Sequence, residues 1–161
     1  CTGVSGKAGL NTMKMINLSE RPECQDAVTD WLWRAFGSEN SREFFASVVR
    51  SSLSGADLPQ TFIALDEGRL AGTVGLWRCD LISRQDLTPW LAALYVDKHF
   101  RSRGLGQQLQ QFVLEQSRRS GFRELYLYAD FTGYYERFGW KYIGDALDYP
   151  DKPVHLFHQL L

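Results

Sequence analysis

Two arginines and two glycines stand together where a predicted strand is followed by a predicted helix. The segment reads Arg101-Ser102-Arg103-Gly104-Leu105-Gly106 and follows the apolar run Trp90–Val96. The first backbone N–H groups of a helix have no intrahelical acceptor, and glycines let an anion approach them closely. Arginine side chains can add charge-assisted hydrogen bonds. The segment therefore predicts a binding site for a phosphate or a pyrophosphate.

Two better-known phosphate-binding motifs do not fit this segment. A P-loop requires Gly-Lys-Ser/Thr, which the chain lacks. A Rossmann fingerprint requires a third glycine, but residues 107–109 contain none, and no first strand–helix–strand unit opens the chain. A Gly-x-Gly pair also occurs in loops that need a positive φ. Taken alone, the segment does not distinguish an anion site from such a turn.

The pattern of apolar residues predicts the strands and the helix that would position this segment. Trp90–Val96 is a nearly continuous apolar run, which is typical of a fully buried central strand. The helix after the glycines has one apolar face and is expected to end near Gly121. Its core-facing residues would be Leu105, Leu109, Phe112 and Val113. Further strands are expected at residues 13–18, 61–66, 70–79, 124–129, 140–145 and 154–160.

Three further helices are expected. The first should begin after Ser19 and Pro22 and end at Gly37, and a short third one should cover residues 131–138. The second should run over residues 41–53, with a core face made of Phe44, Phe45, Val48 and Val49. With the strands, these helices predict one α/β domain around a mixed sheet.

The composition suits a soluble globular domain without a polyanionic partner. The chain has 161 residues, of which 44% are hydrophobic and 23% charged, and its formal net charge is -1. Neither nucleic acid nor a membrane is therefore expected as a partner. Three cysteines without paired spacing indicate reduced thiols in the cytoplasm. Residues 1–12 are expected to be a flexible leader before a domain at 13–161, with Met13 or Met15 as a plausible natural start.

Two motifs together resemble one known family. Arg101-x-x-Gly104-x-Gly106 matches the Gln/Arg-x-x-Gly-x-Gly/Ala signature of GCN5-related N-acetyltransferases (GNAT), and residues 134–140, Tyr-Tyr-Glu-Arg-Phe-Gly-Trp, resemble that family's Tyr-Glu-Lys/Arg-x-Gly-Phe/Trp segment. The resemblance implies a GNAT fold, a mostly antiparallel sheet with splayed central strands and flanking helices. It also implies an acetyl-CoA-dependent N-acetyltransferase that acts on a primary amine of a small molecule or an amino terminus.

The resemblance also implies how the cofactor would be held. The pantetheine arm would enter a slot between residues 92–96 and 126–129, and the N–H groups after it would bind the pyrophosphate. Most of these roles belong to the backbone. The implied cofactor-binding residues are Leu94, Tyr95, Val96, Arg101, Ser102, Arg103, Gly104, Leu105, Gly106 and Gln107.

The implied reaction is direct attack of a neutral primary amine on the acetyl thioester. Tyr135 stands where relatives place the Tyr that protonates the departing thiolate, and Tyr134 is expected to pack in the core. Relatives often carry a Glu at the position of Trp90 and an Asn at that of Tyr128, so no general base can be assigned. The candidates that stay open for the role of general base are Asp86, Asp130, His155 and a water relay.

Other residues leave alternatives open. In relatives the first two helices and the loop at residues 80–89 border the acceptor pocket, which makes Trp31, Phe44, Phe45 and Trp77 candidates for lining it. No metal is expected, because His155 and His158 are three apart on a predicted strand and point to opposite faces. Cys79 is expected to be a small buried packing residue. A homodimer is possible, and a non-catalytic acyl-CoA-binding module is the alternative function.

Overall fold

The computed structural model describes residues 13–161, so the predicted leader at residues 1–12 lies outside the described part. The strands are β1 (Met13–Asn17), β2 (Gln60–Asp66), β3 (Arg69–Trp77), β4 (Trp90–Val96), β5 (Glu124–Ala129), β6 (Lys141–Asp148) and β7 (Lys152–Leu160). The helices are α1 (Gln25–Phe36), α2 (Arg42–Ser51) and α3 (Leu105–Arg119). No helix among the described residues is long and apolar enough to cross a membrane.

The seven strands form one open sheet in the order β1-β2-β3-β4-β5-β7-β6. Every neighbouring pair is antiparallel except β4 and β5, which are parallel and are connected by α3. This confirms the expected α/β fold with a mostly antiparallel sheet flanked by helices. The parallel junction in its middle brings the start of α3 to the end of β4.

Alternating side chains of the strands divide the core between the two faces of the sheet. In β2, Phe62 and Ala64 belong to the cluster that α3 covers, whereas Ile63 and Leu65 belong to the cluster that α1 and α2 cover. From α3, Leu109 is fully buried, and a Cβ atom at Gly72 of β3 would lie only 3.0 Å from its Cδ1 atom. The absence of a Cβ atom at Gly72 therefore allows α3 to pack closely against the sheet.

Three expectations about local structure are wrong. The helix expected at residues 131–138 is only a 3-10 turn, Tyr135–Phe138, because Gly133 takes a left-handed conformation (φ 92°) and its N–H donates to the Glu136 carboxylate. Phe44 is 64% exposed, because Ala46 and Val49 provide the buried face of α2. Cys79 is exposed rather than packed in the core.

Candidate functional site

A slot opens in the middle of the sheet because β4 bends away from β5. The parallel register pairs Trp90 with Tyr126 at the entry to the two strands. Beyond that point, Ala93 adopts φ 51°. Ala92 pairs with Gly75 and Tyr95 pairs with Thr73, so β4 has one residue more than β3 between these two pairs. Such a β-bulge bends its strand. The second half of β4 is accordingly half-buried, although the sequence predicts full burial.

Backbone groups of β4 face this slot. Val96 lies opposite Gly72, and the adjacent ladder bond runs from the Asp97 N–H to the Ala71 carbonyl (2.9 Å). In an antiparallel pair, this places the N–H and C=O of Val96 on the side away from β3. Because this direction alternates along the strand, the N–H and C=O groups of Leu94 also face away from β3, whereas those of Tyr95 face β3.

The segment after β4 forms a concave start to α3. Ser102 and Gly104 adopt the left-handed conformation (φ 64° and 77°), and the first helical hydrogen bond runs from the Gln108 N–H to the Gly104 carbonyl (3.1 Å). Within the described part of the chain, no side chain caps this helix end. The N–H groups of Leu105, Gly106 and Gln107 therefore lack an intrahelical acceptor, which is the condition for anion binding at a helix start.

Two guanidinium groups stand beside this helix start. Arg101 donates from Nε to the Val96 carbonyl (3.0 Å), and its guanidinium lies 5.6 Å from the ring centroid of Tyr95. The Arg103 guanidinium lies 5.6 Å from the ring centroid of Phe100. Neither arginine forms an ion pair with a carboxylate of residues 13–161. Their positive charge is thus available to an anion.

Gly106 faces the space between the slot and the 3-10 turn. A Cβ atom at this position would lie 3.7 Å from the Tyr134 hydroxyl oxygen and 4.0 Å from Cγ2 of Val96. These are ordinary van der Waals distances, so alanine fits here, whereas a longer side chain would extend toward Tyr134. The glycine keeps this space open.

The two neighbouring tyrosines have different surroundings. Tyr135 stacks on Phe131 (ring centroids 5.9 Å apart) and contacts the rings of Trp140 and Phe157. Burial, with a smaller contribution from Tyr134, raises the pKa of Tyr135 to about 12. Tyr134 is half-buried, and its hydroxyl faces the start of α3 rather than the core alone. Tyr135 is therefore the more deeply packed phenol.

A buried hydrogen bond joins α3 to the turn that carries these tyrosines. Trp140 donates from Nε1 to Oε1 of Gln110 (3.1 Å), and the Trp140 N–H donates to the Tyr135 carbonyl (3.3 Å). Gln110 and Trp140 are 0% and 2% exposed. The position of Tyr135 thus depends on a polar contact with α3, the helix that begins at Leu105.

Replacing Gln110 with methionine is expected to destabilise the fold by about 1–3 kcal/mol, because the buried Trp140 N–H loses its acceptor. The matched control is Gln111→Met, the same change at the exposed next position of α3. Urea unfolding measures both. Equal stability of the two variants would show that the Gln110–Trp140 contact does not anchor the turn.

The three side chains considered as general bases are each engaged with another side chain. Asp86 pairs with Arg84 (2.9 Å), and Asp130 pairs with Lys152 (2.9 Å). His155 Nδ1 lies 2.7 Å from Asp145 Oδ1. His155 and His158 contact different carboxylates, since His158 Nε2 lies 3.4 Å from Glu124 Oε1. None of the three is held free beside the slot.

The candidates for the acceptor pocket lie on the face covered by α1 and α2. The Trp31 and Tyr95 rings are in contact, with centroids 5.1 Å apart. Trp77 folds over Gly75, and its buried indole N–H has no partner among the described residues. Phe45 packs in the core and against Phe44, whose exposed ring extends into solvent. Among the candidates for lining the acceptor pocket, Trp31 is thus the one that contacts β4, through the ring of Tyr95.

Comparisons with known proteins give a consistent result. The model of the Acetyltransferase (GNAT) family matches residues 25–140. Aminoglycoside 6'-acetyltransferase type Ii superposes with a TM-score of 0.70 at 20% identity, covering 92% of this chain and 96% of that one. An aminoglycoside 6'-N-acetyltransferase complexed with coenzyme A superposes with a TM-score of 0.71 at 17% identity, covering 91% and 96%.

A GNAT family acetyltransferase from Elizabethkingia anophelis with acetyl-CoA bound superposes with a TM-score of 0.66 at 14% identity, covering 93% of this chain and 99% of that one. No curated protein sequence matches the chain. At these identities the structural likeness shows a shared fold.

Proposed function

Because the chain belongs to the acetyltransferase (GNAT) family, we propose that it transfers the acetyl group of acetyl-CoA to a primary amine of a small molecule or an amino terminus. The observation that carries this proposal is the slot between β4 and β5, which leads to a helix start beside two arginines that have no carboxylate partner among residues 13–161. This arrangement suits a long ligand with an amide-bearing arm and a pyrophosphate.

The backbone and the arginines are assigned to binding. The outward-facing N–H groups of Leu94 and Val96 and the C=O group of Leu94 would pair with the amides of the arm, as an added strand does, whereas the Val96 C=O group already accepts from Arg101 Nε (3.0 Å). The N–H groups of residues 101–107 would bind the pyrophosphate, with Arg101 and Arg103 adding positive charge. The side chain of Tyr95 would support this site from the other face through Trp31 and Arg101.

Tyr135 is assigned to proton transfer. Bound acetyl-CoA would supply an activated acetyl group and a thiolate leaving group. A phenol whose pKa is about 12 stays protonated throughout the neutral range, so it is available to donate its proton to the sulfur as the thiolate leaves. The rings of Phe131, Trp140 and Phe157 around Tyr135 fix its orientation.

The direct test is an incubation of the full chain with acetyl-CoA and a panel of primary amines, with release of free thiol as the readout. The panel contains kanamycin, spermidine, tyramine and a short peptide with a free amino terminus. We expect amine-dependent thiol release and a mass increase of one acetyl group on at least one acceptor. Tight acetyl-CoA binding in calorimetry without turnover of any amine would favour the non-catalytic module instead.

A further inference from the structure

The ring of Phe100 carries two guanidinium groups that come from different parts of the fold. The Cζ atoms of Arg69 and Arg103 each lie 5.6 Å from the centroid of this ring, so the two cations are at most twice that distance apart. Phe100 itself is 4% exposed and belongs to the core cluster that α3 covers. A buried ring is a rigid support, and its attraction to a cation orients each guanidinium without neutralising its charge.

The charges of these two arginines are not neutralised by the acidic residues nearby. Neither arginine forms an ion pair with a carboxylate of residues 13–161. Arg69 is directed to the aromatic ring, although Asp66 lies opposite it in the register of β2 and β3. The Asp97 carboxylate accepts a hydrogen bond from the His99 N–H (3.2 Å). Two exposed like charges repel each other, and an anion that contacts both would relieve this repulsion.

The two arginines lie beside the start of α3. Arg69 is the first residue of β3, the strand on the other side of β4 from the slot. Arg103 stands two residues before α3 begins. The Asp97 N–H donates to the Ala71 carbonyl (2.9 Å), which joins the segment before α3 to the beginning of β3. The pair thus extends the positive charge at the helix start toward β3.

We propose that Arg69 and Arg103 bind the 3′-phosphate of coenzyme A. A cofactor whose arm lies between β4 and β5 and whose pyrophosphate lies at the start of α3 has only its adenosine and its 3′-phosphate beyond that point. The 3′-phosphate is a phosphate monoester, which carries a charge of about −1.5 to −2 at neutral pH. Its oxygens match the planar set of donors on a guanidinium. The inference rests on the proposed function and adds Arg69, which lies outside the Arg-x-x-Gly-x-Gly motif.

The arginines around the helix start then have different roles. Arg101 bonds to the Val96 carbonyl (3.0 Å) and is thereby held at the end of β4, beside the pyrophosphate site. Arg103 serves both the pyrophosphate and the 3′-phosphate, whereas Arg69 serves the 3′-phosphate alone. The consequence is a preference for free coenzyme A thioesters. Phosphopantetheine thioesters attached to a carrier protein lack the 3′-phosphate and would bind more weakly.

The first test compares acetyl-CoA with acetyl-3′-dephospho-CoA, which lacks only this phosphate, on the unaltered full chain. Isothermal calorimetry at constant ionic strength measures both affinities. We expect acetyl-CoA to bind at least about tenfold more tightly, which corresponds to one charge-assisted hydrogen bond or more. Equal affinities would overturn the proposal and leave the proposed function intact. Binding of neither ligand would refute the proposed function itself, so the two failures are distinguishable.

The second test uses Arg69→Gln, with Arg50→Gln as the matched control. Arg69→Gln should weaken acetyl-CoA binding by about tenfold and change the affinity for acetyl-3′-dephospho-CoA by less than about twofold. Arg50 is exposed on α2, so its replacement removes the same charge far from β3 and should leave both affinities unchanged. Equal losses for both ligands in Arg69→Gln would show that Arg69 does not act through the 3′-phosphate and would overturn the proposal.

Steady-state kinetics separates this binding role from a role in the chemical step. With any amine that the native chain acetylates, Arg69→Gln should raise the KM for acetyl-CoA by about tenfold and keep kcat within about threefold of the native value. The reason is that the 3′-phosphate is remote from the thioester and is bound equally in the ground state and the transition state. A lower kcat with an unchanged KM would place Arg69 in the reaction step and would contradict the proposal.

Discussion

Replacement of Gly104 by valine is expected to weaken acetyl-CoA binding by at least about 100-fold. Gly104 is left-handed (φ 77°) and is the last residue before α3, and a β-branched side chain strongly disfavours this conformation. The start of the helix must then rearrange and withdraw N–H groups from the pyrophosphate. Loss of one or two charge-assisted hydrogen bonds, at about 1.5–3 kcal/mol each, corresponds to this factor. Isothermal calorimetry measures it.

Gly121→Val is the matched control for this experiment. Gly121 lies just after the other end of α3, also has a left-handed backbone (φ 88°), and like Gly104 has open space around its Cβ position. Both variants should lose similar stability, and only Gly104→Val should lose affinity for acetyl-CoA. Gly106→Leu gives a second approach, because it fills the space toward Tyr134 without a left-handed backbone. Unchanged affinity in Gly104→Val and Gly106→Leu would exclude this helix start as the pyrophosphate site.

Tyr135→Phe is expected to lower turnover by about 100-fold while acetyl-CoA affinity stays nearly unchanged. Phenylalanine keeps the ring contacts with Phe131, Trp140 and Phe157, so the slot retains its shape. Only the proton donor is removed. Steady-state rates and calorimetry on the same preparations separate these two effects.

The pH dependence gives an independent check on Tyr135. A general acid must be protonated, and because burial raises its pKa to about 12, ionisation of Tyr135 should not reduce the rate below about pH 11. Tyr134→Phe is the matched variant, since it removes the neighbouring phenol that faces Gly106. Equal losses of turnover in both variants, or none in Tyr135→Phe, would assign the proton to another group.

Much of the fold can be predicted from the sequence because local patterns decide it. The run Trp90–Val96 and the segment Glu124–Ala129 are predicted to the residue, since apolar side chains and turn residues mark both ends. The 3-10 turn, Tyr135–Phe138, could not be predicted, because it depends on the Glu136 carboxylate folding back to the Gly133 N–H. The exposure of Phe44 could not be predicted either, because an aromatic residue on a short helix does not show which face of that helix packs against the sheet.

The candidate site is predictable where glycine and charge carry the information. Gly104 and Gly106 are identified by their spacing. The left-handed φ of Gly104 explains the need for glycine at that position, and the anion site itself stays a prediction. The bulge at Ala93 is not visible in the sequence, because alanine has no preference for φ 51° and the register with β3 imposes it.

The single pair that joins β4 to β5 has a consequence for how the chain folds. The strands before α3 form one antiparallel group, β1 to β4, and those after it form another, β5 to β7, so most strand pairings join neighbours in the sequence. Contacts that are local in sequence form quickly, and the β2–β3 and β6–β7 hairpins are the most local, whereas β1 with β2 and β4 with β5 must each close a longer loop that contains helices. We expect the two hairpins to gain protected amides early in pulse-labelling hydrogen exchange, and the pairing of β1 with β2 and the junction at Trp90 and Tyr126 to form later. Simultaneous protection of all seven strands would contradict this order. The gap between β4 and β5 that would admit a cofactor is thus also the boundary between the two antiparallel groups of strands.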